Sequence, residues 1–146
     1  MAAHFWGCSP MATLASLTPL LQVFDMRRAV DFYCNTLGFE LVEHSPEIDA
    51  AEGRFFHWCR LRRDGAQIML NTAYDAGERP PERDEARWAG HAHTVLFVDC
   101  PDLDALHAEL AARGLAVAPP QTSYYGMRQI ELTDPDGYAL CFQCPA

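Results

Sequence analysis

The chain has 146 residues, of which 49% are hydrophobic and 21% are charged, and this predicts a single domain with its own hydrophobic core. Eleven lysines and arginines against 20 aspartates and glutamates give a formal net charge of −9. Because that charge repels a phosphate backbone and an anionic membrane surface, we expect neither nucleic acid nor a membrane as a partner.

The first half of the chain predicts a strand, a helix and a hairpin. Residues 17–24 are typical of a buried strand, after which Asp25 caps a helix with apolar residues at helical spacing that ends at Gly38. Asp64-Gly65 then separates two apolar runs, as in a tight two-residue hairpin. We assign residues 17–74 to module one.

The second half repeats this order. Residues 93–98 predict a strand, Asp99 and Pro101 open a helix that ends at Gly114, and Asp136-Gly137 marks the turn of another hairpin. The order of strand, helix and strands therefore occurs twice, which indicates an internal duplication.

The segments outside the two repeats set the domain boundaries. Residues 1–16 are interpreted as an N-terminal extension of a single domain, residues 17–144. Residues 75–90 are charged and contain paired prolines, which favours an exposed linker or a flap over a site. Module two then covers residues 91–144.

Cysteine usage and the start of the chain bear on its location. The six cysteines are scattered over predicted helices and strands, unlike the dense framework of a small secreted protein, which favours reduced thiols. The N-terminal residues lack the basic segment of a secretory signal. We therefore expect a cytoplasmic protein.

Three stretches carry a resemblance to a known family. They are Val23-Phe24-Asp25, then FYCNTLGFEL, and finally YYGMRQIELTDPDGYALCF near the end of the chain. Their order, together with the duplication, makes residues 17–143 resemble the vicinal oxygen chelate superfamily of glyoxalases, bleomycin-resistance proteins and extradiol dioxygenases. The resemblance implies an α+β fold in which paired βαβββ modules form a curved half-barrel cup.

The resemblance also implies where a metal would bind. In metal-dependent members, each module gives one ligand from its first strand and one from its last, and the matching positions are Thr18, Met69, His93 and Cys141. A hydroxyl and a thioether are poor ligands for a hard divalent cation, and a zinc site needs three or four protein ligands. We expect no cofactor, with a divalent metal as the disfavoured alternative.

The first hairpin predicts one wall of a ligand-binding cup. A two-residue turn pairs Arg60 with Met69 and Trp58 with Asn71, and places Gln67 on the same face. Such a mixture of apolar area and a few polar groups is typical of small-molecule pockets.

The second hairpin predicts the other wall. The same counting pairs Leu132 with Cys141 and Ile130 with Gln143, and places Arg128 further along that face. Tyrosines before the second hairpin are suited to stacking on a planar or cationic ligand. The complete predicted ligand-binding set is Gln22, Trp58, Arg60, Gln67, Met69, Asn71, His93, Tyr124, Tyr125, Arg128 and Cys141.

Two functions stay open at this point. The first is a small-molecule-binding protein that sequesters a drug-like or natural-product ligand, aromatic or cationic, without metal; the resemblance implies a homodimer with pockets completed across the subunit boundary. The alternative is a metal-dependent glyoxalase-like lyase or isomerase, or a dioxygenase, that recruits metal through residues such as His57, His91 and Glu131. No catalytic residue is assigned, because a general base is identified by its distance from the proton it removes.

Overall fold

The computed structural model describes residues 10–50 and 52–146. Within these residues the chain forms two four-stranded sheets, one two-stranded sheet and three short α-helices. None of the described helices is long and apolar enough to cross a membrane.

Module one forms sheet one. Its elements are β1 (Leu20–Val23), α1 (Met26–Asp31), a turn of π-helix (Phe32–Thr36), β2 (Glu40–His44), β3 (Ile48–Ala50), β4 (Gly53–Phe55), β5 (Trp58–Arg63) and β6 (Ala66–Thr72). The strand order in sheet one is β1-β6-β5-β2, with β1 parallel to β6, and β3 pairs with β4 in a separate hairpin.

Module two forms sheet two. After α2 (Glu85–Ala89) and a 3₁₀ turn (Gly90–His93) come β7 (Val95–Asp99), α3 (Leu103–Ala112), β8 (Gln121–Thr122), β9 (Met127–Thr133) and β10 (Ala139–Pro145). The strand order is β7-β10-β9-β8, again with the first strand parallel to the last. Because both sheets place the module's last strand beside its first, the paired βαβββ fold is confirmed.

Local sequence signals explain the ends of the helices. The Asp25 side chain accepts a hydrogen bond from the Arg28 N–H (3.2 Å), and Gly38 follows the first helix with a φ of +72°, as predicted. The predicted start of α3 at Asp99 is wrong, because β7 continues to that residue. Asp102 caps α3 instead.

The first hairpin has the predicted register. Asp64 and Gly65 form the two-residue turn, Arg60 lies opposite Met69, and Trp58 lies opposite Asn71. These side chains therefore share one face of sheet one, as expected.

The predicted register of the second hairpin is wrong by one residue. Cys141 lies opposite Glu131, and Gln143 lies opposite Gln129. The Asp134 carboxylate accepts hydrogen bonds from the N–H groups of residues 136 and 138 (2.9 Å each) and holds a five-residue loop in place of a two-residue turn. Because strand side chains alternate, this slip exchanges the two faces of β9.

The two sheets bury their inner faces in one core. Leu61 and Leu70 of sheet one, Leu106 of α3, and Ile130 and Leu140 of sheet two belong to a single hydrophobic cluster together with residues of α1. Helices α1 and α3 therefore lie in the core between the sheets. The opposite face of each sheet, here called its outward face, points away from this shared core, so the two outward faces of one chain do not face each other.

The loop between β9 and β10 closes the free edge of β1. The Tyr138 hydroxyl lies 3.1 Å from both the backbone N–H and the carbonyl of Gln22, and the Asp136 carboxylate accepts from the Phe24 N–H (2.8 Å). Tyr33 of the π-helical turn donates its hydroxyl to Asp134 (2.6 Å). Burial, and then the charge of Asp134, raises the pKa of Asp136 to about 6.

The segment between the modules is only partly exposed. Trp88 of α2 is buried, with its ring edge-on to Phe24 (6.0 Å between centroids) and to His91 (4.5 Å). The helix is thereby held against the end of β1, next to the outward face of sheet one.

Candidate functional site

The outward face of sheet one brings together six of the predicted ligand-binding residues. Trp58, Arg60, Gln67, Met69 and Asn71 are half-buried on β5 and β6. Gln22 is exposed beside Asn71 on β1. The face combines an indole ring, a thioether and three carboxamides, which are groups suited to a largely apolar ligand with a few hydrogen-bonding atoms.

Two arginines on or beside this face are held by neighbouring side chains. The Arg60 guanidinium lies 3.4 Å from the Glu43 carboxylate and 3.4 Å from the Gln67 side-chain oxygen. Arg87 of α2 donates to the Gln22 side-chain oxygen (3.0 Å). That bond leaves the amide N–H groups of Gln22 as the atoms available to a ligand.

The outward face of sheet two holds a different set from the one predicted. Cys141 lies between Phe97 on β7 and Glu131 on β9, and the neighbouring row places Gln143 beside Gln129. Cys141 is buried, whereas Phe97 is 57% exposed. Burial, and then the charge of Glu131, raises the pKa of the Cys141 thiol, which keeps it protonated at neutral pH.

Four of the predicted ligand-binding residues lie outside the two outward faces or at their margin. Arg128 is on the helix-facing side of β9, where it binds Asp104 of α3 (3.0 Å). His93 is exposed in the 3₁₀ turn before β7. Tyr124 and Tyr125 lie on the exposed loop between β8 and β9, with only the hydroxyl of Tyr125 reaching Gln129 (2.5 Å).

Three residues that line the outward face of sheet two are absent from the predicted ligand-binding set: Phe97, Gln129 and Glu131. The one-residue slip in the second hairpin hid the two β9 residues. Phe97 was detectable from the alternation along HTVLFV, because it shares a face with Val95.

The side chains at the four positions that match the superfamily's metal ligands do not suit a divalent cation. Of the four matching positions, Thr18 offers a hydroxyl, Met69 a thioether and Cys141 a protonated thiol, so His93 is the one good ligand. The described residues contain no group of three or more His, Cys, Asp or Glu side chains that could hold a metal ion. His91 is engaged through both ring nitrogens, with the residue 136 carbonyl (2.7 Å) and the Tyr138 hydroxyl (3.4 Å).

The family model of the Glyoxalase/Bleomycin resistance protein/Dioxygenase superfamily matches residues 13–142, and the chain belongs to this superfamily. The predicted family and fold are thereby confirmed. No curated protein sequence matches significantly.

Solved structures are similar over almost the whole chain. TnmS3, an antibiotic binding protein from Streptomyces sp. CB03234, is 28% identical, with 93% of this chain and 100% of that chain covered and a TM-score of 0.61. A glyoxalase/bleomycin resistance protein from the same organism is 29% identical, with 88% and 100% covered and a TM-score of 0.55. A bleomycin-binding protein complexed with bleomycin is 19% identical, with 91% and 100% covered and a TM-score of 0.66, and shares the fold.

Proposed function

We propose that the protein binds an aromatic or cationic natural product and sequesters it without chemical change and without metal. Membership of the superfamily and similarity to an antibiotic binding protein support small-molecule binding. The observation that carries the proposal is the outward face of sheet one, where Trp58, Met69 and the carboxamides of Gln22, Gln67 and Asn71 converge.

The poor donor set supports sequestration rather than metal-dependent catalysis. A divalent metal needs several oxygen or imidazole ligands, and the positions matching the superfamily's ligands supply one imidazole. Metal analysis of protein purified without chelator tests this part. Substoichiometric metal is expected; near-stoichiometric metal that is lost in His93→Ala overturns it.

We further propose that a second copy of the chain completes the site. Each outward face is open on its own, and large apolar side chains are exposed on it or near its edge: Leu20 is 51%, Val95 45% and Phe97 57% exposed. The segment before β1 adds Leu14 and Leu17, at 94% and 87% exposed. A homodimer that sets sheet one of one copy against sheet two of the other buries these side chains and forms two cups.

Light scattering on a sizing column tests the oligomeric state. We expect a dimer for the natural protein and a shift to monomer for Phe97→Glu, because burying a new carboxylate without a partner is costly. A monomer at micromolar concentration refutes the dimer.

The free thiols at the five described cysteines support a cytoplasmic location, which fractionation of the producing cells tests.

Calorimetric titration tests ligand binding. Bleomycin and doxorubicin are suitable probes, because they combine planar aromatic rings with a cationic group. Binding of at least one is expected, weakened in Trp58→Ala by roughly tenfold or more, since truncating a buried aromatic anchor costs about 2 kcal/mol. Absence of binding and of thermal stabilisation by either probe counts against the proposal.

A further inference from the structure

Beside the outward face of sheet two lies a cavity of about 310 Å³. It forms because β8 is only two residues long and pairs with β9 at Gln121–Gln129 and Thr122–Arg128. The preceding prolines, 119 and 120, have no N–H to donate and cannot extend the ladder. The edge of β9 next to Glu131 is therefore left open, and the cavity occupies this gap.

The walls of the cavity are rich in hydrogen-bond acceptors. Gln121, Thr122, Ser123, Gln129 and Glu131 provide its polar surface. None of the eight described residues that line the cavity is basic. Such a surface favours a ligand group that brings several donors and a positive charge.

Two details fix where that charge would lie. Among the described residues Glu131 has no ion-pair partner, so its carboxylate is not neutralised within the chain. The Gln129 amide nitrogen already donates to the Tyr125 hydroxyl (2.5 Å) and to the Gln143 side-chain oxygen (3.1 Å), which leaves the Gln129 oxygen as an acceptor. A protonated amine suits the Glu131 carboxylate, and a hydroxyl group can donate to the Gln129 oxygen.

The cavity adjoins the outward face of sheet two, which the proposed homodimer sets against sheet one of the second copy. Gln129 and Glu131 point to the outward face of β9, in the same rows as Gln143 and Cys141. Its volume is at the lower end of ligand pockets, about 300 to 1,000 Å³, and suits one substituted ring rather than a whole drug-like molecule.

We propose that this cavity is a subsite for a protonated, hydroxyl-bearing ring of the ligand, such as an amino sugar. The proposal rests on the proposed function and its homodimer, because it assigns the aromatic part of the same ligand to the outward face of sheet one in the second copy. It makes Glu131 the residue that selects for the amine, and Gln121 and Gln129 the residues that bind the hydroxyl groups.

Glucosamine and glucose are the probes, since a protonated amine in the first stands in place of a neutral hydroxyl group of similar size in the second. The measurement is a titration of the full-length protein followed by ¹⁵N NMR at about pH 6.5, where the glucosamine amine is protonated. We expect shifts of the side-chain amides of Gln121 and Gln129 with millimolar affinity, and about tenfold weaker binding of the neutral sugar.

Two matched variants locate the effect. Glu131→Gln keeps the shape of the side chain and is expected to abolish the preference for glucosamine. Asp99→Asn removes the other carboxylate of the same face, away from the cavity, and is expected to leave the preference intact. Equal binding of the two sugars by the natural protein, no shift at the two glutamines, or an unchanged preference in Glu131→Gln overturns the proposal.

The two proposals fail in different ways. If doxorubicin and bleomycin do not bind but the glucosamine preference is found, the proposed function is refuted and the cavity stands as a sugar-amine site. If the drugs bind through Trp58 and the sugars show no preference, the subsite alone is refuted.

Discussion

Replacing Asp136 by asparagine is expected to stabilise the protein at neutral pH. The carboxyl is 3% exposed, and burial together with Asp134 raises its pKa from 3.8 to about 6. Asparagine keeps an oxygen for the Phe24 N–H, which now lies 2.8 Å from the carboxylate, and carries no charge to bury. The difference of roughly two pKa units corresponds to about 3 kcal/mol, since one unit is about 1.4 kcal/mol.

The sign of the effect sets its pH dependence. Because the folded-state pKa of Asp136 lies above the unfolded one, this group contributes most stability when protonated in both states, below about pH 4. That contribution is lost as the pH rises through about 6. The free energy of unfolding of Asp136→Asn should therefore exceed that of the natural protein by less than about 1 kcal/mol near pH 4 and by about 3 kcal/mol near pH 7.5.

Urea unfolding followed by tryptophan fluorescence measures this difference at both pH values. Asp75→Asn, at an exposed aspartate, is the control and should leave the free energy of unfolding unchanged at both. A difference that does not grow with pH, or an Asp136→Asn variant that is less stable at neutral pH, would refute the reasoning.

Three further substitutions test the core and the site. Tyr33→Phe removes the 2.6 Å hydrogen bond to Asp134 and should lower the free energy of unfolding by about 1.5 to 3 kcal/mol in urea unfolding; no loss would mean that the bond is weak. Leu110→Ala leaves a cavity at a fully buried position between the sheets and should lower the free energy of unfolding by about 2 to 5 kcal/mol in the same assay. A smaller loss would mean that the core collapses around the cavity. Arg128→Ala should leave doxorubicin affinity unchanged in calorimetry while Trp58→Ala weakens it, because Arg128 points to the helices; equal losses would contradict the observed register.

Most of the fold could be predicted from the sequence, because the residues that begin and end its helices and turns act through local contacts. Asp25 and Gly38 determine where the first helix begins and ends through one side-chain bond and one positive φ, and the Asp64-Gly65 turn fixes its hairpin without help from elsewhere. The duplication then followed from the order of such signals.

The residues that sheet two contributes to the candidate site could not be predicted, because the register of the second hairpin depends on a tertiary contact. Asp136-Gly137 has the same letters as the first turn, but Asp134 binds two backbone N–H groups and receives the Tyr33 hydroxyl from the other module. With these bonds the loop has three more residues than the predicted turn, and Arg128 lies on the opposite face of β9. A dipeptide rule contains no information about a partner 101 residues away.

The contacts that close the edge of β1 constrain how the chain can be divided. The Tyr138 hydroxyl and the Asp136 carboxylate satisfy backbone groups of Gln22 and Phe24, so module two supplies atoms that the backbone of module one needs. A chain cleaved within residues 75–90 would have to reassociate before the first fragment regained a complete set of backbone partners. A circular permutant opened at the same point keeps both fragments tethered, and is the safer starting point for engineering new termini between the modules.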